Sequence, residues 1–160
     1  MAKTELILSF CLLSSFALLA SAASTFSVEG RVYCDTCRAG FETNITEYIS
    51  GAKVKVECTH FSTGKVEHSN EGVTGANGFY HVEVVDDHEE EICEAVLVES
   101  PVADCKEIPD GRHRAQVVLA ANTGITSNVR FANSLGFLRD EALPYCEKLL
   151  REYYGIGEEV

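Results

Sequence analysis

The sequence predicts an all-β domain: a six- to seven-stranded antiparallel β-sandwich or small barrel with a short C-terminal helix and three disulfides. Short runs of alternating apolar and polar residues recur along the chain between turn signals, which is typical of such folds. A helical repeat of apolar residues occurs only near the end. Six of the seven cysteines follow the N-terminal apolar segment, and an even number of cysteines favours disulfide pairing.

Residues 1–23 are predicted to be a cleaved secretory signal peptide, which leaves residues 24–160 as the mature domain. Lys3 precedes an apolar run over 6–20, and the small residues at 20–23 offer two overlapping cleavage sites. The run is short for a membrane span, and an uncleaved anchor helix is the alternative. Cys11 leaves with the signal, so the secreted domain keeps the six cysteines at 34, 37, 58, 93, 105 and 146.

Alternation of apolar and polar residues places the strands. The first strand-like run ends at Cys34, and its inward face carries Val28, Gly30 and Val32. The clearest strand covers 52–58, where Ala, Val, Val and Cys alternate with Lys, Lys and Glu, so Cys34 and Cys58 both face the core. Further strands are predicted over 79–85, 92–99, 114–121 and 126–131, whereas 105–113 is predicted to be a loop.

Two turns and one helix complete the prediction. Asn77-Gly78 lies between strand-like runs and indicates a hairpin, because both residues tolerate positive φ. Residues 86–91 form a charged turn. Apolar residues recur at helical spacing after Pro144, a residue suited to a helix start, so Cys146 falls in the first turn of a C-terminal helix. The apolar residues are Leu143, Cys146, Leu149, Leu150 and Tyr153.

The pair Cys34-x-x-Cys37 has three possible roles. A redox pair requires a helix immediately after the first cysteine, and residues 38–41 do not predict one. A zinc site requires two further ligands at suitable spacing, and no second pair of this kind exists in the sequence. Structural disulfides to distant cysteines are therefore favoured. The five histidines are scattered, and surface positions are expected for them; the sequence predicts no metal site, no cofactor and no catalytic residue.

The charge of the chain restricts its partners. The net charge is −12, and it does not change when Lys3 and Glu5 leave with the signal. Such a protein repels phosphate backbones and anionic membranes, which argues against nucleic-acid binding and against membrane insertion after signal cleavage. A partner protein with a basic surface suits a chain of this charge better than a nucleic acid or an anionic membrane does. The candidate partner-binding residues are the acids of the charged turn: Asp86, Asp87, Glu89, Glu90 and Glu91. A solvated hairpin tip without a binding role is the alternative. A calcium-binding loop is disfavoured, because the acids lack the ligand spacing of such loops.

The segment Asn44-Ile45-Thr46 is an N-glycosylation sequon in a predicted polar loop. Asn44 is therefore the predicted glycan site. An unmodified loop asparagine is the alternative.

Several segments resemble the pollen Ole e I family of secreted plant proteins, which includes pollen allergens and extensin-like relatives. The resemblance is carried by VEGRVYCDTCR over 28–38 and by matching cysteine intervals. It continues in GFET at 40–43, GAKV at 51–54, EC at 57–58, ICE at 92–94 and SP at 100–101. It resumes in LGF at 135–137 and ALPYC at 142–146.

The resemblance implies a secreted, often glycosylated, non-enzymatic β-barrel or β-sandwich. Six cysteines allow fifteen pairings. The family's pairing, carried over to this sequence, is Cys34–Cys105, Cys37–Cys146 and Cys58–Cys93. Members occur in pollen and in vegetative tissue, many bind IgE, and one branch resembles extracellular ligands of pollen receptor kinases.

The sequence thus predicts a secreted protein of the apoplast or cell wall that acts as an interaction or signalling module in growth or pollen development. Its expected partner is an extracellular protein such as a receptor ectodomain, or a wall polymer. The alternatives are a structural, polysaccharide-binding wall protein and a protease inhibitor. The inhibitor would use the predicted loop 105–113, which carries no diagnostic residue.

Overall fold

The computed structural model describes residues 24–156, which form two facing β-sheets with ten strands and one helix. The predicted all-β sandwich with a short C-terminal helix and three disulfides is confirmed. The signal-peptide prediction lies outside the described residues. The elements are β1 Thr25–Asp35, β2 Glu47–Tyr48, β3 Lys53–His60, β4 Val66–Val73, β5 Phe79–Val85, β6 Glu91–Glu99, β7 Cys105–Glu107, β8 Arg114–Val117, β9 Val129–Phe131, β10 Leu135–Arg139 and α1 Cys146–Tyr153.

The first sheet is organised around β1, which is long enough to pair with different strands along its length. Its N-terminal part pairs with β5 in antiparallel and with β9 in parallel orientation. Its C-terminal part pairs with β2 in antiparallel and with β10 in parallel orientation, and β7 extends the sheet beyond β10. The sandwich is therefore not purely antiparallel, because β9 and β10 both run in the direction of β1.

The second sheet is antiparallel, with the strand order β4-β3-β6-β8. β3 and β6 are its central strands and lie in continuous register from Val54 to His60, with a register shift between Lys53 and Val54. The alternation predicted for 52–58 is confirmed, since Ala52, Val54, Val56 and Cys58 are buried. The inner faces of the two sheets meet in one apolar core, whose buried residues include Val28, Val32, Val54, Val56, Val82, Val84 and Leu97.

Several boundaries and connections differ from the prediction. The strand predicted over 114–121 ends at Val117, and that over 126–131 begins at Val129. The predicted loop 105–113 begins with β7. Two strands were not predicted: the two-residue β2, and β10, which is only five residues long. The strand-like run before Asn77, predicted without bounds, is β4, which is almost wholly polar and exposed.

The Asn77-Gly78 turn has the predicted conformation but not the predicted role. Both residues have positive φ, 57° and 66°, in a short 3₁₀ turn. The strands on either side do not pair, because β4 belongs to the second sheet and β5 to the first. The turn therefore carries the chain across the sandwich instead of closing a hairpin. One side-chain bond also spans the two strands, from Asn70 Nδ2 to the Glu83 carbonyl at 3.0 Å.

Two tyrosines of the first sheet cover glycines on neighbouring strands. Tyr80 lies opposite Gly30 and Tyr33 lies opposite Gly136 in the strand register. A Cβ at either glycine would overlap the tyrosine ring, so a missing side chain makes room for each buried ring. The Tyr80 hydroxyl is the one buried side-chain polar atom within residues 24–156 that has no hydrogen-bond partner. Burial raises the pKa of Tyr80 well above its usual range.

The outer face of the second sheet carries a partly buried ion cluster. Glu57 is 7% exposed and contacts both Lys55, at 2.6 Å, and Arg114. Arg114 also pairs with Glu94 at 2.8 Å. The hydrogen bond from Lys55, followed by that from Arg114, lowers the pKa of Glu57. The cluster explains how a carboxylate can be nearly buried on the face that the alternation assigns to solvent.

The helix α1 begins at Cys146, so Cys146 lies in its first turn as predicted, although the helix starts two residues after Pro144. Cys146 and Leu149 are buried, whereas Tyr153 is exposed and its ring lies 4.7 Å from that of Phe41. Of the helices that the structure describes, none is long and apolar enough to cross a membrane.

Candidate functional site

The segment Cys34–Arg38, in which two cysteines are three positions apart, is a structural junction. The structure joins Cys34 to Cys105 at the start of β7, and Cys37 to Cys146 at the start of α1. The third disulfide joins Cys58 to Cys93, which lie directly opposite each other on β3 and β6. These are the three pairs that the family resemblance implies. Cys34 and Cys37 therefore do not form a disulfide with each other.

Each remaining residue of the junction fixes its shape. Asp35 is buried and accepts hydrogen bonds from the backbone N–H groups of Cys37, at 3.2 Å, and Gly40, at 2.6 Å. Such side-chain-to-backbone bonds stabilise a turn. Thr36 is also buried and donates to the Ile45 carbonyl at 3.1 Å. The chain thereby turns sharply after β1 and presents the two cysteines to different partners.

Arg38 connects the junction to the far edge of the first sheet. Its guanidinium donates to both carboxylate oxygens of Glu107, at 2.7 and 2.9 Å, and to the Arg139 carbonyl at 2.6 Å. The bidentate hydrogen bond from Arg38 lowers the pKa of Glu107. The whole CDTCR motif is thus accounted for by contacts that join β1 to β7, β10 and α1.

The sequon residue Asn44 is exposed, in the loop between β1 and β2. The loop is held by a bond from the Thr43 N–H to Thr46 Oγ1 at 2.8 Å and by one from the Thr46 N–H to the Thr43 carbonyl at 3.2 Å. Asn44 is therefore sterically accessible for modification.

The charged turn 86–91 connects β5 of the first sheet to β6 of the second, so it is a crossover and not a hairpin tip. Four of its acids are exposed, and we call them the acidic crossover: Asp86, Asp87, Glu89 and Glu90. Glu91 is not part of this solvated surface, because it belongs to β6 and its side chain is only 10% exposed. The prediction of a wholly solvated turn is therefore wrong at this position.

The acidic crossover is held against the loop that follows β8. Asp87 accepts a hydrogen bond from the Ala121 N–H at 3.0 Å, and Glu89 accepts one from Asn122 Nδ2 at 3.1 Å. Asp86 has a φ of 75°, in the left-handed region that asparagine and aspartate tolerate better than most residues. These contacts fix the backbone of the turn and two of its four carboxylates, so a partner can recognise this surface with little further ordering.

Three of the five histidines converge at this end of the sandwich. His88 lies within the crossover itself and is buried, with a side-chain exposure of 0%, so the prediction of a surface position is wrong. Its Nδ1 lies 3.3 Å from one oxygen of Glu91, and His68 Nε2 lies 3.5 Å from the other. His60 is paired with Glu91 across β3 and β6.

The sequence held a signal for the placement of two residues of this group, His60 and Glu91. Cys58 and Cys93 face inward, and side chains two positions apart on a strand share a face. His60 and Glu91 therefore had to lie on the inner face beyond the Cys58–Cys93 disulfide. The burial of His88 had no such signal, because exposed acids flank it on both sides.

Comparisons with known proteins agree on one family. A family model described as "Pollen protein Ole e 1 like" matches residues 24–154. The pollen-specific protein C13 of Zea mays is 55% identical over 127 residues, which cover 79% of this chain and 75% of that protein. The anther-specific protein LAT52 of Solanum lycopersicum is 43% identical over 153 residues, which cover 95% of each protein.

A solved structure shows the same fold. The crystal structure of the major plantain pollen allergen Pla l 1 superposes with a TM-score of 0.69 at 36% sequence identity. The superposition covers 75% of this chain and 98% of that chain.

Proposed function

The chain belongs to the Ole e 1-like family of pollen proteins, and on that premise we propose that it is a secreted, non-enzymatic glycoprotein that acts as an interaction module outside the cell, in pollen development or growth. The observation that carries the proposal is the similarity, over most of the chain, to proteins named as pollen-specific and anther-specific. The fold of the chain is also similar to that of the pollen allergen Pla l 1.

Two features support an extracellular location. The three disulfides bridge residues 35, 71 and 109 positions apart, and such bonds form and persist in oxidising compartments. Asn44 is exposed in a sequon, and glycans are added to such sites in the secretory pathway. Both features agree with the signal peptide predicted from the first 23 residues.

Two features support an interaction role without catalysis. The relatives compared are named as pollen proteins or allergens and not as enzymes. The cysteines that could have formed a redox centre are all engaged in disulfides. The acidic crossover is the surface that we propose meets the partner, because four exposed carboxylates on an ordered turn complement a basic protein face and steer its approach.

The protease-inhibitor alternative receives less support. It required a free, rigid loop over 105–113, but the first three residues of that segment pair with β10 as a strand. Ile108 is its one large exposed apolar side chain.

A charge-neutral variant tests the binding surface. Asp86→Asn, Asp87→Asn, Glu89→Gln and Glu90→Gln together change the net charge from −12 to −8. The amides keep the acceptor oxygens used by Ala121 and Asn122, and asparagine tolerates the left-handed φ at position 86. The labelled variant is expected to associate with the surface of growing pollen tubes about three- to tenfold more slowly than the parent at low ionic strength. The association rate of the variant should also depend less steeply on salt concentration.

A matched variant controls for total charge. Asp140→Asn, Glu141→Gln, Glu147→Gln and Glu152→Gln also give a net charge of −8, but they neutralise exposed acids in and around α1. This variant should associate nearly as fast as the parent. If both variants slow binding equally, only total charge matters. If neither slows it, the acidic crossover is a solvated turn without a role in recognition.

A further inference from the structure

Four side chains around the start of β6 form what we call the imidazole–carboxylate cluster: Glu67, His68, His88 and Glu91. Glu91 is its centre, since each of its two oxygens faces a different imidazole. One ligand atom from each of Glu67, His68 and Glu91 lies within 4.8 Å of the other two. The proposed partner surface does not use this arrangement.

A break in the pairing of β3 and β4 directs both Glu67 and His68 towards Glu91. The register of β3 and β4 shifts between Cys58 and Thr59, which lie opposite His68 and Val66. Glu67 is therefore the extra residue of a β-bulge. A bulge alters the direction of the side chains at the extra residue, and bulges are common beside functional sites. Here it allows two consecutive residues to reach the same carboxylate.

His88 holds Glu91 in place from the buried side. Its Nε2 lies 3.0 Å from the Val85 carbonyl, which can only accept a hydrogen bond, so Nε2 carries a hydrogen. Its Nδ1 faces a carboxylate oxygen at 3.3 Å, which is also an acceptor. The ring has no exposure to solvent and packs against this oxygen, so it limits the positions that the Glu91 carboxylate can take. Buried groups of this kind commonly orient a ligand from behind a metal site.

We propose that Glu67, His68 and Glu91 bind a divalent transition-metal ion of the zinc class, with His88 positioning Glu91. In a tetrahedral zinc site with bonds of about 2.1 Å, neighbouring ligand atoms are about 3.4 Å apart. The distance between His68 Nε2 and the nearer oxygen of Glu91 is 3.5 Å. Glu67 and His68 are exposed, so water can reach the ion and complete its coordination.

The ligand set selects the class of metal. An imidazole ligand suits zinc, copper and nickel, whereas calcium and magnesium prefer oxygen ligands alone. Thiolate ligation does not arise, because Cys58 and Cys93, which also lie beside Glu91, are joined in a disulfide. The net charge of −12 favours the approach of any cation, so specificity must come from the ligand geometry.

Calorimetric titration of the disulfide-bonded secreted protein with zinc chloride tests the proposal, with magnesium chloride as the control metal. One equivalent of zinc should bind saturably and magnesium should not bind. His68→Gln and Glu67→Gln should each weaken zinc binding at least tenfold. Both residues are exposed, so these variants should keep the unfolding midpoint of the metal-free parent.

His81→Gln is the matched control variant. The His81 side chain is 50% exposed and lies 3.4 Å from Glu29, whereas that of His68 is 47% exposed and lies 3.5 Å from Glu91. The two carboxylates beside His81 face different ring nitrogens, Glu29 at Nδ1 and Glu83 at Nε2, so they do not converge on one ligand atom of the ring. Loss of His81 should therefore leave zinc affinity unchanged. Zinc should also shift the NMR signals of the His68 and His88 rings and not those of His81. Absence of zinc binding by the parent, or equal affinity of the parent and His68→Gln, would overturn the proposal.

Discussion

Reduction of the three disulfides is expected to unfold the protein. The bonds close segments of 35, 71 and 109 residues. Chain-entropy arguments give each about 4 to 5 kcal/mol of stabilisation, whereas the whole free energy of unfolding of such a domain is about 5 to 15 kcal/mol. Far-UV circular dichroism before and after reduction measures the effect, which is convenient because the chain has no tryptophan for fluorescence.

Removing single disulfides should give graded losses. Cys37→Ser with Cys146→Ser opens the longest segment and should lower the free energy of unfolding by about 5 kcal/mol. Cys58→Ala with Cys93→Ala opens the shortest and should cost about 4 kcal/mol. Urea denaturation of each variant provides the values. Full retention of secondary structure and stability after reduction would show that the core alone holds the fold.

Gly78→Ala is expected to lower the free energy of unfolding by about 3 kcal/mol or more. Gly78 is buried with a φ of 66°, and a Cβ there would overlap the Val32 carbonyl oxygen and approach the Tyr48 Cβ at 3.1 Å. An alanine at this φ costs roughly 1 to 2 kcal/mol, and overpacking adds roughly 1 to 3 kcal/mol. Relief of the overlap would have to separate β1 from the turn between the sheets.

Gly64→Ala separates these two costs. Gly64 has nearly the same φ, 67°, but no atom lies within 4 Å of a Cβ built there. This control variant should lose only the conformational part, roughly 1 to 2 kcal/mol. Chemical denaturation of both variants gives the difference. Equal losses would mean that the space around Gly78 adjusts freely, contrary to its close packing against Val32 and Tyr48.

The sequence predicted the strands in which apolar and polar residues alternate clearly, and the elements that it did not predict lack this alternation. β3 and β6 alternate cleanly because one face of each packs in the core. The bounds of β4 could not be predicted because an edge strand with both faces exposed has no apolar face. β10 was missed because it is short and contains Gly136, which packs under the Tyr33 ring and carries no side chain.

Local sequence patterns did not predict which strands pair in which sheet. Asn77 and Gly78 adopt the positive φ that their residue types favour, but residue type does not determine which strand a turn leads to. The same holds for the acidic crossover, since its charged residues predict a turn but not that the turn joins two different sheets. The cysteine pairing came from the family resemblance, because spacing alone leaves fifteen pairings open. The imidazole–carboxylate cluster depends on a bulge and on a crossover, neither of which has a sequence signature here.

Capture of the extracellular partner tests the central proposal most directly. The secreted, disulfide-bonded protein would be presented to an array of plant receptor ectodomains and, in parallel, to immobilised wall polymers such as pectin and xyloglucan. The proposal of an interaction module predicts saturable binding to an ectodomain with a basic face, weakened by salt and by neutralisation of the acidic crossover. Binding to wall polymers with no binding to any protein ectodomain would contradict it, and would instead support the structural wall protein.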